Sequence, residues 1–361
     1  MVLELVNIRK NFGKFVLGPL NLTVNNDVMV ILGPTGSGKT SLINLIAGIL
    51  SPDTGNIILN GIEITKQPIE KRKVGYVFQD PSLFPHLNVY NNILFGLRRK
   101  ERESKEKIIH IKKIIDDLDI AHLLDRRIDD LSGGEKQKVS LARILVLNPN
   151  VILMDEPFSH IDFLARDKLR IELRSILRNQ QIPTIYVTHF EEDIYALADS
   201  IAFLDKGKIE ESGTLKEILN SYTRPTSPSL FFNKIISAGN YLTGEVIECQ
   251  NDLTEFKVGS IILYTIGKFL PKSKIGVIIK REDIILSKEK IRTSARNIVF
   301  VKIVEMVITD NIIDVYLKSG NLNLISRITR SAAEDLKIEI GDNIYAVFKA
   351  SIPHPIREEK E

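Results

Sequence analysis

Cysteine is almost absent: the 361 residues carry one, Cys249. No disulfide can form within the chain, and no CxxC pair is present to hold zinc or exchange thiols. That scarcity fits a reducing compartment. Long apolar runs are missing as well. The best stretch, Ile298 to Ile308, is interrupted by Lys302 and Glu305 and falls far short of the roughly 20 apolar residues that a spanning helix needs. Work at a membrane would leave the crossing to other chains. The N-terminus, Met1-Val2-Leu3-Glu4-Leu5-Val6-Asn7, has an early acid and no apolar core leading to a cleavage site, so it does not read as a signal peptide. Charge of one sign is lacking too. The 49 Lys and Arg nearly balance 46 Asp and Glu, and a net charge of +3 makes no electrostatic case for nucleic acid.

What is present supports real cores, with 43% apolar residues in a length that suits two domains. The sharpest feature is Gly33-Pro34-Thr35-Gly36-Ser37-Gly38-Lys39-Thr40, a GxxxxGK[ST] or Walker A loop. It follows the apolar run Val28 to Leu32 and precedes Ser41-Leu42-Ile43-Asn44-Leu45-Ile46-Ala47, so it stands between a strand and a helix. The glycines let successive backbone N–H groups point at one spot, and the helix adds the positive end of its dipole. Residues 33 to 41 are therefore candidate triphosphate contacts. Lys39 would reach the β- and γ-phosphate oxygens, and Thr40 would ligate Mg²⁺.

Apolar strands alternate with helical patterns to about residue 220, which argues α/β. Lys107 to Leu118 reads as an amphipathic helix with Ile108, Ile111, Ile115 and Leu118 on one stripe. From about residue 232 short β-branched runs separated by turns read as a small all-β domain. The expected division is 1–230 and 231–361, with a helical subdomain at about 80–145. The junction is expected at Ser221 to Ser229, which holds Pro225 and Pro228. The β region carries a weak repeat. Ser237-Ala238-Gly239-Asn240-Tyr241-Leu242 compares with Ser294-Ala295-Arg296-Asn297-Ile298-Val299, and Gly276-Val277-Ile278-Ile279-Lys280 with Tyr345-Ala346-Val347-Phe348-Lys349. Two lobes, about 232–291 and 292–356, follow from it; chance likeness between β-rich stretches is the alternative.

Val151-Ile152-Leu153-Met154-Asp155-Glu156-Pro157 is an apolar strand ending in two acids, a Walker B pattern. Asp155 would hold Mg²⁺, and Glu156 would polarise the water that attacks the γ-phosphate. Leu131-Ser132-Gly133-Gly134-Glu135 opens a helix with a hydroxyl and free N–H groups, a second phosphate-binding surface. A helix N-cap accounts for Ser132 and Glu135 but not for the glycine pair.

With these motifs, residues 1 to about 230 resemble the ATP-binding-cassette (ABC) ATPases. Gln79 in Tyr76-Val77-Phe78-Gln79-Asp80 matches the Q-loop, His189 in Tyr186-Val187-Thr188-His189-Phe190 the switch histidine, and Asp162 in Ser159-His160-Ile161-Asp162 the D-loop. The resemblance implies a P-loop NTPase fold with a helical subdomain, and ATP and Mg²⁺ as cofactors. It implies that Gln79 contacts Mg²⁺ and water, that His189 contacts the γ-phosphate, and that an aromatic stacks on adenine, with Phe12 the best match and Phe15 the second. It further implies a homodimer in which Ser132 to Glu135 of one chain close over the ATP of the other. Lys136-Gln137-Lys138 stands where the family usually has Gln-Gln-Arg, and Ser-His-Ile-Asp where it has Ser-Ala-Leu-Asp.

Asp80 to Val89, with Leu83-Phe84-Pro85, resembles the stretch of importer ATPases that borders the groove for a membrane permease, so a permease contact is expected near Gln79 to Leu87. An ordinary turn with Leu83 and Phe84 buried is the plainer alternative. The C-terminal region is similar to the all-β OB-like domains appended to importer ATPases (Mop/TOBE type). Thr293-Ser294-Ala295-Arg296-Asn297, Ile328-Thr329-Arg330-Ser331-Ala332 and Lys349-Ala350-Ser351 resemble molybdate/tungstate-binding domains. A tetrahedral dianion suits hydroxyls, N–H groups and a few cations, so Ser294, Arg296, Asn297, Ser331, Lys349 and Ser351 are candidate oxyanion contacts. The whole resembles the ATPases of molybdate/tungstate importers, peripheral on the cytoplasmic face of the membrane and served indirectly by an external oxyanion-binding protein. Sulfate, sugar or polyamine import, a soluble ABC ATPase without a transport role, and an oxyanion buffer remain as alternatives.

Overall fold

The structure is a computed structural model and describes residues 1–221 and 239–357. The expected junction beyond Ser221, the boundary at 230/231, and Ser237 and Ala238 of the repeat lie outside the described residues. The chain divides into two compact units, Met1–Leu215 and Lys216–Glu361.

The first unit begins with antiparallel β1 (Leu3–Asn11) and β2 (Val16–Val24), followed by β3 (Val28–Leu32) and helix α1 (Lys39–Ala47). Next come β4 (Thr54–Leu59), β5 (Ile62–Glu63) and β6 (Val74–Val77). Helices α2 (Val89–Leu94), α3 (Arg99–Arg102), α4 (Lys105–Asp117) and α5 (Gly133–Leu145) follow. Then β7 (Val151–Asp155), α6 (Phe163–Gln180), β8 (Thr184–Val187), α7 (Glu191–Leu197), β9 (Ser200–Asp205) and β10 (Lys208–Thr214) complete it, and α8 (Leu215–Ser221) runs across the division into the second unit. Two sheets form, β2-β1-β4-β5 and β10-β9-β3-β8-β7-β6. The strands β9, β3, β8, β7 and β6 run parallel. All of β3 is buried, as a parallel strand covered on both faces must be. Leu42, Ile43, Leu45 and Ile46 of α1 share one core with Leu3, Leu5 and Ile8 of β1 and with Val151, Leu153 and Ile185 of the parallel sheet. The helix behind the Walker loop is thus anchored in the core, against β7 and β8 of the parallel sheet.

Its C-terminal end is held by Arg72, which is 3% exposed. Nη1 donates to Leu45 O and Ile46 O at 2.9 Å each, Nη2 to Thr65 O at 2.6 Å and Nε to Gln67 O at 2.9 Å. Burial pulls the guanidinium pKa down, yet a cation at a helix C-terminus opposes the negative end of the dipole. Arg72→Met removes the cation and leaves four carbonyls short of a donor. Denaturant unfolding is expected to register a loss on the order of 3 kcal/mol, and a loss under 0.5 kcal/mol would show that the clamp carries little.

In α4 the buried stripe is Ile111, Ile114 and Ile115, with Leu118 just beyond. The expected Ile108 is 44% exposed and Ile109 is 69% exposed, because the first turn of the helix stands in solvent. That expectation is corrected: Ile114 takes the place of Ile108.

The second unit contains β11 (Asn240–Gln250), β12 (Leu253–Val258), β13 (Ile261–Ile266), β14 (Lys274–Ile279) and β15 (Ile285–Ser287). It continues with β16 (Asn297–Thr309), β17 (Ile312–Ser319), β18 (Leu322–Thr329), a helix (Arg330–Leu336), β19 (Asn343–Phe348) and β20 (His354–Arg357). Its sheets are β13-β12-β11-β14-β20 and β15-β19-β16-β17-β18. The repeat has a matching geometry. Asn240 pairs with Ile279 as Asn297 pairs with Phe348, and both ladders then run in step. The edge strands are exchanged, however: β15 adds to β19, and β20 adds to β14. A cut at 291/292 therefore does not separate the two sheets.

The two asparagines lock the lobes reciprocally. Asn240 Nδ2 donates to Ile325 O at 3.0 Å, and Ile325 N–H donates to Asn240 Oδ1. Tyr264 N–H donates to Asn297 Oδ1 at 2.8 Å, and Asn297 Nδ2 donates to Tyr264 O at 3.0 Å. Each side chain satisfies the backbone of the third strand of the other lobe, which a buried amide must do to avoid an unpaired polar group.

Candidate functional site

The loop after β3 turns through Gly33 at φ 154° and Gly36 at φ 81°. A Cβ at Gly33 would lie 2.0 Å from Leu204 O, so that position admits no side chain. At Gly36 an added Cβ would meet nothing within 4 Å, so there the requirement is conformational. Thr35 and Gly36 are exposed, whereas Ser37 is buried and its Oγ has no hydrogen-bond partner among the described residues. Pro34 and Gly38 are half-buried, and α1 starts at Lys39, Thr40 and Ser41. A cleft of about 730 Å³ opens beside the loop, with Thr35 and Gly36 on one wall and Lys14, Lys206 and Lys208 on others.

Lys39 Nζ donates to Gly33 O at 2.8 Å and Pro34 O at 2.9 Å. Burial pulls its pKa down, and the carboxylates of Glu156 and Asp155 pull it back up. Asp155 ends β7. Burial pushes its carboxyl pKa up; a hydrogen bond from Thr40 opposes this, and the charge of Glu156 reinforces it. The parallel register sets Asp155 against Val187. Glu156, one residue on, has φ 45° and donates its backbone N–H to Val187 O at 2.9 Å. His189, two residues past Val187, then brings Nδ1 to 3.1 Å from Glu156 Oε2. Motifs far apart in sequence meet because β7 and β8 are neighbours.

Among the described residues no group of three or more His, Cys, Asp or Glu could by itself hold a metal ion. The Thr40 hydroxyl and the Asp155 carboxylate, near enough that Thr40 draws the Asp155 pKa down, are hard oxygens that suit an Mg²⁺ whose other ligands are phosphate oxygens and water. Gln79 is exposed, two residues beyond the end of β6 on the other side of β7. Phe12 is 41% exposed and stacks on Phe15 with centroids 6.1 Å apart.

Ser132 caps α5. Its backbone N–H and Oγ donate to Glu135 Oε2 at 2.8 and 2.7 Å, and Glu135 N–H donates to Ser132 Oγ at 3.3 Å. The backbone N–H of Ser132, more than its hydroxyl, holds the Glu135 carboxyl below its ordinary value. The capping pair is present, and Gly133 lies exposed with Gly134 beside it at the helix start. Asp162 likewise caps α6, accepting from Ala165 N–H at 3.0 Å.

Residues the motifs did not single out hold the loop after Gln79. Asn92 is fully buried: Phe84 N–H donates to its Oδ1 at 2.9 Å, and its Nδ2 donates to Phe84 O, Leu87 O and Asn88 O at 3.0 to 3.1 Å. Phe84 packs on Phe95 with centroids 4.2 Å apart, and the Arg143 guanidinium carbon lies 5.4 Å from the centroid of the Phe84 ring. Leu83 and Phe84 are half-buried, and Phe95 is 53% exposed. The one available signal was an asparagine inside an apolar helix.

In the second unit Ser294, Arg296, Lys349 and Ser351 are exposed. The β16–β19 ladder ends at Asn297 opposite Phe348, so Arg296 and Lys349 leave it side by side. Asn297 is corrected out of the oxyanion set: it is 1% exposed and its amide is engaged with Tyr264. Ser331 is also not brought there. It follows β18, whose Thr329 pairs with Ile312, at the opposite end of β16 from Asn297.

A Walker loop leading into a helix, two acids ending the adjoining strand system and a histidine against the second acid define a P-loop nucleoside triphosphatase. An ABC transporter family model matches residues 17–159, and a TOBE domain model matches residues 293–352. The molybdate/tungstate import ATP-binding protein of Pyrococcus abyssi is 35% identical over 352 residues, 97% of this chain and 98% of that protein. The spermidine/putrescine import ATP-binding protein of Clostridium acetobutylicum is 32% identical over 363 residues, spanning 100% and 97% of the two chains. A solved nucleotide-free ATP-binding cassette from an ABC transporter aligns with a TM-score of 0.55 at 27% identity, over 62% of this chain and 96% of that one. This chain belongs to the ATP-binding proteins of the ABC transporter family, and it is an ATPase that works with membrane permease partners.

Proposed function

We propose that this chain hydrolyses ATP to drive import of a tetrahedral oxyanion, molybdate or tungstate, through a separate membrane permease. The observation that carries the reading is the near end-to-end match to the P. abyssi protein, which extends through the C-terminal unit. In this reading the chain is peripheral on the cytoplasmic face and receives its oxyanion from an external binding protein by way of the permease. Two chains form a homodimer. Each ATP lies on Gly33 to Ser41 of one chain, with Phe12 against adenine, and is closed by Ser132, Gly133, Gly134 and Glu135 of the other, beside Asp162. Thr40 and Asp155 would hold Mg²⁺, with Gln79 next to it, and the ion would supply charge neutralisation of the phosphates. Glu156 takes the proton of the attacking water, and His189 holds the γ-phosphate. The permease contacts the segment Gln79 to Leu87, where Phe84 and the exposed Phe95 offer an apolar surface.

The exposed cations Arg296 and Lys349, with Ser294 and Ser351, are proposed to bind oxyanion and slow hydrolysis when the ion is plentiful. Ser331 could join them only from another chain. Polyamine import is the second reading, favoured by the full-length match to the C. acetobutylicum protein. Calorimetric titration of the full chain discriminates. Micromolar or tighter binding of molybdate or tungstate, weakened at least tenfold in Arg296→Ala/Lys349→Ala, is the expected result. Silence with both oxyanions alongside saturable spermidine binding would replace the reading with the second one.

A further inference from the structure

An unbroken line of contacts runs from the start of α6 to the Glu156 carboxylate. Arg166, one turn into α6, folds back so that Nη2 donates to Ile161 O at 2.8 Å, next to Asp162. Its guanidinium carbon lies 4.0 Å from the centroid of the Phe190 ring. The Phe190 ring packs in turn on the His189 ring, with centroids 4.1 Å apart and planes at 36°. His189 Nδ1 is 3.1 Å from Glu156 Oε2.

The backbone beneath this line is pinned. Asp193, 1% exposed, accepts from Thr188 Oγ1 at 2.6 Å, from Tyr186 OH at 3.1 Å and from the Arg170 guanidinium. Thr188 Oγ1 then accepts from Phe190 N–H at 3.0 Å. The main chain on both sides of His189 is therefore held, and the imidazole is left to be set by what touches its ring. Arg166 Nε is buried without a hydrogen-bond partner among the described residues. Among the described residues Arg166 makes no ion pair; its guanidinium is placed by the Ile161 carbonyl and the ring face, and a cation over an aromatic face is attracted to it.

We propose that Arg166 and Phe190 are positioning residues that couple the Ile161–Asp162 segment to His189. A shift of that segment draws the guanidinium across the Phe190 ring, and the ring resets the imidazole against Glu156. The segment's position is thereby read out as competence for hydrolysis, not as affinity for ATP. This rests on the ATPase reading of the same site.

Steady-state ATPase kinetics of the full chain, with a fluorescent-ATP titration alongside, test it. Phe190→Leu and Arg166→Met are each expected to lower kcat about tenfold with KM and nucleotide affinity changed less than twofold. Phe190→Tyr, which keeps the ring face, is expected to restore kcat. The double variant should lose no more than either single one, as residues acting in series do. Should Phe190→Leu fold poorly, Phe190→Met and Arg166→Lys give the same comparison. Single variants within twofold of wild-type kcat, or a multiplicative loss in the double variant, would overturn the coupling while leaving the ATPase reading intact. A wild-type chain that hydrolyses no ATP would remove both.

Discussion

Glu156→Gln is expected to lower ATP turnover by about a hundredfold to ten-thousandfold while ATP still binds, the range lost with a general base. The side chain is held for this work. Its backbone sits at φ 45° with the N–H bound to Val187 O at 2.9 Å, and its Oε2 faces His189 Nδ1 at 3.1 Å. Glutamine fills the same volume and can still engage His189 through its carbonyl, so the pocket is kept. What it cannot do is take a proton from water. The loss should therefore fall on kcat, with KM for ATP near wild type, and a single-turnover measurement should place it on the chemical step. A kcat within tenfold of wild type would assign the base elsewhere.

The motifs proposed to carry this chemistry are legible because each is local: a loop between one strand and one helix, or acids at the end of one strand. That Glu156 and His189 would meet could be expected from the family resemblance, but the cause lies in a strand register, Asp155 against Val187, that no local pattern encodes. Positions held by distant backbone were not legible. No motif singles out Arg72, yet it closes the end of α1 from 26 and 27 residues away. Asn297 sits in a stretch rich in hydroxyls and cations and so reads as a ligand. Its amide instead satisfies Tyr264, 33 residues earlier. The repeat was readable because equivalent positions carry similar residues. The exchange of β15 and β20 between the sheets was not, since edge pairing depends on where a strand arrives in space, not on its own pattern.

Lys39→Ala is expected to weaken ATP binding about a hundredfold or more. In the structure the ammonium bridges two carbonyls of its own loop, Gly33 O at 2.8 Å and Pro34 O at 2.9 Å. It is half-buried and close enough to Asp155 and Glu156 for both to raise its pKa. A phosphate oxygen offers a full negative charge where the carbonyls offer a dipole, and charge-assisted hydrogen bonds contribute roughly 1.5–3 kcal/mol each. Loss of two such bonds, at least about 3 kcal/mol, accounts for about a hundredfold at about 1.4 kcal/mol per decade. Arginine should not substitute, because a planar fork cannot occupy the point between two carbonyls that a compact ammonium fills. Equilibrium titration with fluorescent ATP checks both variants, and a Kd within fivefold of wild type for Lys39→Ala would count against the role. The same substitution has a consequence without nucleotide. Lys39 works against the burial that pushes up the carboxyl of Asp155. Removing it raises that pKa further, so ionising Asp155 costs more in the folded chain than in the unfolded one. The ligand-free variant should then lose stability, relative to wild type, as pH rises through the raised folded value, and recover it on acidification.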